Sequence, residues 1–172
     1  MTASAATLDR ASAEAASAEL APLFEGAPRF LARLVAARPF ATWEALFARA
    51  REIAHAMPEA EQVELVDAHP RLGAPREAVS ARSAREQGYD RRDARRDAGR
   101  DAESVPAVDL ARLNAAYERH FGFRYCVFVA GRPLVALVPE LERALGADRT
   151  AELHRALDAV IDIAIARHAA AR

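Results

Sequence analysis

A chain of 172 residues, 52% apolar but only 6% aromatic, is long enough for one ordinary core and too short for two, and its alanine-heavy apolar share leans to helix. A net charge of −1 excludes electrostatic recruitment of nucleic acid or of an anionic membrane, and every basic residue counted is arginine. The single cysteine, Cys126, excludes an internal disulfide and cannot build a metal site alone.

No apolar run approaches the ~20 residues needed to span a bilayer. The N-terminus lacks the basic start and apolar middle of a secretory signal, so a cytoplasmic protein is expected.

The first helix is predicted from about Thr7 to Phe24, broken by Gly26 and Pro28. Phe30, Leu31, Leu34 and Val35 recur at helical spacing up to Pro39. Thr42 reads as the N-cap of a third helix carrying Leu46, Phe47, Ala50, Ile53 and Ala54. Pro58 then opens a short helix through Val63, Leu65 and Val66 to His69.

Residues 70–82 hold Pro70, Gly73 and Pro75 and read as loop. From 90 to 103 an Arg-Arg-Asp-Ala block alternates charge, which suits a solvated surface segment or a mobile insert. Acids match its arginines and no aromatics interleave, so it is not a nucleic-acid patch.

After Pro106 a helix resumes through Leu110, Leu113 and Tyr117, closed by Gly122. Phe123 to Val129 is an apolar run whose periodicity does not separate strand-like from helical backbone. Two more helices follow, one from Val135 to Leu145 and one from about Arg149 to His168. The expected fold is all-α, a single helical domain over 1–172.

His69 is the leading candidate for chemistry. A residue before proline is pushed out of the α region, so it should lie just past a helix end, displayed there. Imidazole hands protons both ways near neutrality. A histidine at a helix C-terminus also answers the helix dipole, and an isolated His-Pro would be read that way. The motif around it favours chemistry.

Ser83, Glu86 and Gln87 share one face of a helix. A carboxylate there can orient an imidazole, and serine and glutamine can bond a polar heterocycle. Ser-x-x-Glu is also the capping box that starts a helix; spacing leaves the readings level, and both can hold at once.

Asn114 and Tyr117 read better as helix-to-loop anchors than as ligands. Arg132, after Gly131, can pair with a carboxylate. His55, His120, His154 and His168 lack convergent partners, and Cys126 reads as a small buried residue. No metal site, phosphate loop, nucleophile elbow or dinucleotide fingerprint is present.

Three segments, in order, resemble the 2-oxo-4-hydroxy-4-carboxy-5-ureidoimidazoline (OHCU) decarboxylase family of urate breakdown. They are His69-Pro70-Arg71-Leu72-Gly73, the Ser-x-x-Glu-Gln of Ser83 to Gln87, and Asn-x-x-Tyr-x-x-x-Phe-Gly-Phe from Asn114 to Phe123, running on to Tyr125. Leu23-Phe24-Glu25 and Ala37-Arg38-Pro39-Phe40 are also similar to family positions, and the likeness runs over roughly 17–168.

The resemblance implies a compact α-helical homodimer without metal or organic cofactor, acting on a small molecule. It implies decarboxylation of OHCU to (S)-allantoin, with His69 as acid/base and Glu86 as its partner carboxylate. Pro70, Ser83, Ala84, Arg85, Glu86 and Gln87 match substrate-holding positions, as does the backbone of Phe123, Arg124, Tyr125, Cys126 and Val127.

This chain also departs from the family pattern. Ala130 stands where many relatives carry a basic residue, and Arg132 is the candidate to take over that anion contact. Arg124 and Tyr125 stand where proline and phenylalanine are common, and the 90–103 block is longer than usual. The competing readings are a decarboxylase of a related ureido-imidazoline and a catalytically inactive helical dimer or scaffold. Decay at His69 or Glu86 would mark the scaffold, and both are present.

Overall fold

Hydroxyl caps decide where several helices begin. In the computed structural model, which describes residues 4–89 and 107–171, the Ser4 hydroxyl accepts the Thr7 amide and starts α1, Ala5–Arg10. The Ser12 hydroxyl accepts the Ala15 amide and starts α2, Ala13–Leu20. The single helix expected from Thr7 to Phe24 is therefore two helices and a 3-10 turn over Ala21–Leu23. A second N-cap serine inside the apolar pattern restarts the helix, because its hydroxyl competes for the amides of the following turn.

Helix α3 spans Pro28–Ala36, α4 spans Trp43–Ala56 under a Thr42 cap, and α5 spans Glu59–Asp67. Helix α6, Ala81–Glu86, starts earlier than its Ser-x-x-Glu pattern implies. Ser80 is the cap and Ser83 lies in the first turn. The 70–82 segment, expected as loop, also holds a 3-10 turn over Arg76–Ala78. Then come α7 (Ala107–Phe121), α8 (Leu134–Ala144) and α9 (Arg149–Ala170). Between α7 and α8, residues 124–129 form neither helix nor strand, so the ambiguous apolar run is irregular chain. No strand occurs among the described residues, and the all-α expectation holds. The charged block over 90–103 lies outside the described residues.

The chain divides into two compact units, Met1–His69 with Leu153–Arg172, and Pro70–Glu152. In the first, Leu8, Leu20, Phe24, Phe30, Leu34, Leu46 and Leu65 are fully buried, with Phe24 and Phe30 edge to face at 4.8 Å. Asp9 accepts the amides of Phe40 and Ala41, and Arg38 donates to the carbonyls of Leu8 and Ala11, tying α1 to the end of α3. Arg51 of α4 reaches Asp158 and Asp162 of α9 at 2.5 and 2.7 Å.

The second unit is organised by Tyr117, which is fully buried. Its ring meets Phe121, Phe123 and Tyr125 at centroid distances of 4.6, 5.7 and 5.1 Å. Its hydroxyl donates to Glu152 at 2.6 Å, giving a buried carboxylate the donor it requires.

Candidate active site

Within the first unit, His69 follows the end of α5, its amide bonded to the Val66 carbonyl at 3.1 Å. The sequence suggests a displayed imidazole, yet the residue is only 3% exposed. The side chain folds back on its own helix, and Nδ1 lies 3.3 Å from the Leu65 carbonyl. A carbonyl only accepts, so Nδ1 carries the proton and Nε2 the lone pair.

Burial, and secondarily the Arg167 guanidinium, push the imidazole down to about pKa 4, against the opposing pull of Glu25 and the Leu65 bond. His69 is therefore a neutral base at pH 7, and its conjugate acid is strong.

The charge beside it comes from the far end of the sequence. Arg167, on α9, has a side chain 2% exposed. Its Nη2 donates to Glu25 at 2.7 Å and its Nη1 to the carbonyls of Pro22 and Leu23 at 3.3 Å each. Glu25 is held at φ +52°, a left-handed conformation costing about 1–2 kcal/mol in a non-glycine residue. Such strain persists where surrounding contacts fix it, and the Arg167 bond is one of those contacts.

Arg167 was hidden by the arginine-rich composition, but a signal existed. Val160, Ala164 and Arg167 follow the i, i+4, i+7 stripe that α9 buries, so one arginine falls on an apolar face. Glu25 closes the Leu23-Phe24-Glu25 segment, which is similar to family positions.

The second unit gathers the other expected residues. Ser83 and Ala84 are buried in α6, Arg85 is exposed, and Glu86 closes the helix half-buried. The Ser80 hydroxyl donates to that of Ser83 at 3.0 Å. Gln87 reaches the loop after Pro70: its amide oxygen accepts the Gly73 N–H at 2.7 Å and its nitrogen donates to the Arg71 carbonyl at 3.1 Å.

In the segment between α7 and α8, Phe123, Tyr125 and Cys126 are buried, and Arg124 and Val127 half-buried. Arg132 closes the turn that follows. It donates to Glu140 at 2.6 Å and to the carbonyls of Phe128 and Val129 at 2.8 and 3.1 Å. That turn holds Ala130 at φ +51°.

Among the described residues no cluster of three or more His, Cys, Asp or Glu is arranged to hold a metal ion, and no helix is long and apolar enough to cross a membrane.

Comparison with known proteins agrees with the motifs. No curated protein matches the sequence. The fold is similar to that of a crystal structure of (S)-allantoin synthase, at 19% identity and a TM-score of 0.64 over 98% of this chain. The chain spans only 54% of that protein's length. It is also similar to an OHCU decarboxylase crystallised in the presence of (S)-allantoin, at 19% identity and a TM-score of 0.65, covering 88% of this chain and 94% of that one. At such identity the likeness speaks for the fold. The family model for OHCU decarboxylase matches residues 9–169, nearly the whole chain, and the protein belongs to that family.

Proposed function

We propose that the chain is an OHCU decarboxylase that yields (S)-allantoin in urate breakdown, working as one domain over 1–172. The observation that carries this reading is the buried, neutral His69 beside a fixed guanidinium, at the histidine of the family motif.

The substrate carbon carries a hydroxyl and a carboxylate next to an imine. Breaking its bond to the carboxylate releases carbon dioxide and sends the electron pair toward the imine nitrogen, which takes up a proton. Collapse of the resulting enol passes the hydroxyl proton out and needs one proton at the neighbouring carbon. Nε2 of His69 takes the hydroxyl proton and returns one to carbon on a single face. Burial keeps the imidazole neutral at pH 7, so its Nε2 lone pair is available to take part in this proton traffic.

Glu86 is the partner carboxylate. Pro70, the Ser83–Gln87 segment and the backbone from Phe123 to Val127 hold the substrate. The Arg167–Glu25 pair supports this chemistry by keeping a positive field at the imidazole. Arg132 is the candidate contact for the substrate's anion, set in a turn that its bond to Glu140 helps to fix. The proposal includes a homodimer and a cytoplasmic setting.

The test generates the unstable substrate in situ from urate with uricase and hydroxyisourate hydrolase, then adds this protein. Release of carbon dioxide well above the spontaneous rate supports the reading, and a rate equal to spontaneous decay rejects it.

A further inference from the structure

The loop that begins at Pro70 is held residue by residue from within the second unit. Gln87 bridges the Arg71 carbonyl and the Gly73 amide. Asn114 of α7, buried at 5% exposure, donates its Nδ2 to the Leu72 carbonyl at 2.8 Å. The Tyr89 hydroxyl donates to the Ala74 carbonyl. The Arg71 guanidinium pairs with Glu118 of α7 through two bonds of 2.5 and 2.6 Å. Leu72 is 4% exposed, and Gly73 takes φ +73° with Leu110 packed against its Cα.

Two features separate this from ordinary loop packing. An amide that bonds a donor and an acceptor two residues apart fixes both peptide planes between them, as a paired strand would. The orientation of Asn114 is also set, because a carbonyl accepts only, so its nitrogen must face Leu72.

We infer that Gln87 and Asn114 are positioning residues. Their side-chain amides clamp the Arg71–Gly73 peptides and so fix Pro70, one of the substrate-holding positions, a duty that Gln87 performs from within the substrate-holding segment itself. The inference rests on the decarboxylase reading for its effect on turnover, and on geometry alone for the clamp. Preorganised placement is where such an effect enters the rate, since a shift of about 1 Å can cost on the order of a hundredfold.

The experiment pairs hydrogen exchange at the Gly73 amide with steady-state kinetics in wild type, Gln87→Met and Asn114→Leu. The expected result is Gly73 exchange about tenfold faster in Gln87→Met. Both variants should then lose kcat, by about tenfold to a hundredfold, and in Asn114→Leu, outside the substrate-holding positions, KM should be little changed. Should Gln87→Met fail to fold, Gln87→Glu takes its place. It keeps the acceptor for Gly73 but sets a carboxylate against the Arg71 carbonyl, and should lower kcat while Gly73 stays protected.

Unchanged exchange in Gln87→Met overturns the clamp. Faster exchange with unchanged kcat overturns the positioning role, and so does a rise in KM with kcat intact in Asn114→Leu, which marks a direct substrate contact. An inactive wild-type protein whose Gly73 amide is released in Gln87→Met overturns the decarboxylase reading and leaves the clamp standing.

Discussion

Nη2 of Arg167 lies 2.7 Å from Oε1 of Glu25, joining residues 142 positions apart in the sequence, with the arginine side chain almost wholly out of water. A buried guanidinium is tolerated only when paired and bonded, and this one is held by a carboxylate and two carbonyls. Because the same charge acts on His69, the pair links the stability of the first unit to the electrostatics of the imidazole.

Breaking that pair from one side should cost about 3–5 kcal/mol, because a charge is left buried without its partner. Glu25→Leu and Arg167→Met are each expected to lower stability by that order, and the double variant by less than their sum. Urea unfolding of the double-mutant cycle measures the coupling. The His69 ring reports the charges separately: loss of Arg167 raises its pKa, and loss of Glu25 lowers it further, both readable by NMR titration.

Burial of neutral His69 also makes stability depend on pH. The folded-state pKa lies near 4 and the unfolded one near 6.5, so the unfolded chain binds the extra proton between them. The contribution is complete above about pH 6.5 and is lost as pH falls toward 4, in total about 3 kcal/mol. The stability difference between wild type and His69→Asn, followed by denaturant unfolding across that window, should shrink accordingly. A constant difference would mean that the imidazole charges freely in the folded state.

The caps of α6 give a sharper structural check. Ser80 accepts the Ser83 amide at 3.1 Å, so Ser80→Ala should cost about 1 kcal/mol of stability. Ser83→Ala leaves that backbone bond in place and should cost less. The reverse order in thermal unfolding would return the cap to the Ser-x-x-Glu pattern.

Gly73→Ala combines a left-handed φ with a Cβ that would overlap Leu110 Cδ2. Strain and overpacking together should lower stability by about 2 kcal/mol. A thermal midpoint equal to that of wild type would show that the loop yields without cost.

Much of this architecture is legible in the sequence because apolar period and cap chemistry are local. Thr42 caps α4 as its position predicts, and the stripe Leu46, Phe47, Ala50, Ile53 and Ala54 is the buried face. The errors arise where two local signals compete. At Ser12 a cap interrupts a pattern that looks continuous, and at Ser80 an earlier cap outcompetes the capping box that Ser83 suggests.

The electrostatic setting of His69 was out of reach for a different reason. Whether an imidazole is displayed or buried depends on residues brought up by α9 and by the turn at Glu25, and spacing carries no such information. The anchor role of Asn114 was readable, but the Leu72 carbonyl it holds was not.

In the proposed reaction His69 moves the proton that sets the product's configuration. The most direct measurement follows the circular dichroism of allantoin formed by wild type and by folded His69→Asn at neutral pH. Wild type should give a rapid signal of the (S) enantiomer and the variant a rate lower by about a hundredfold to ten-thousandfold, with helix content unchanged. A variant that forms (S)-allantoin at the wild-type rate would contradict it.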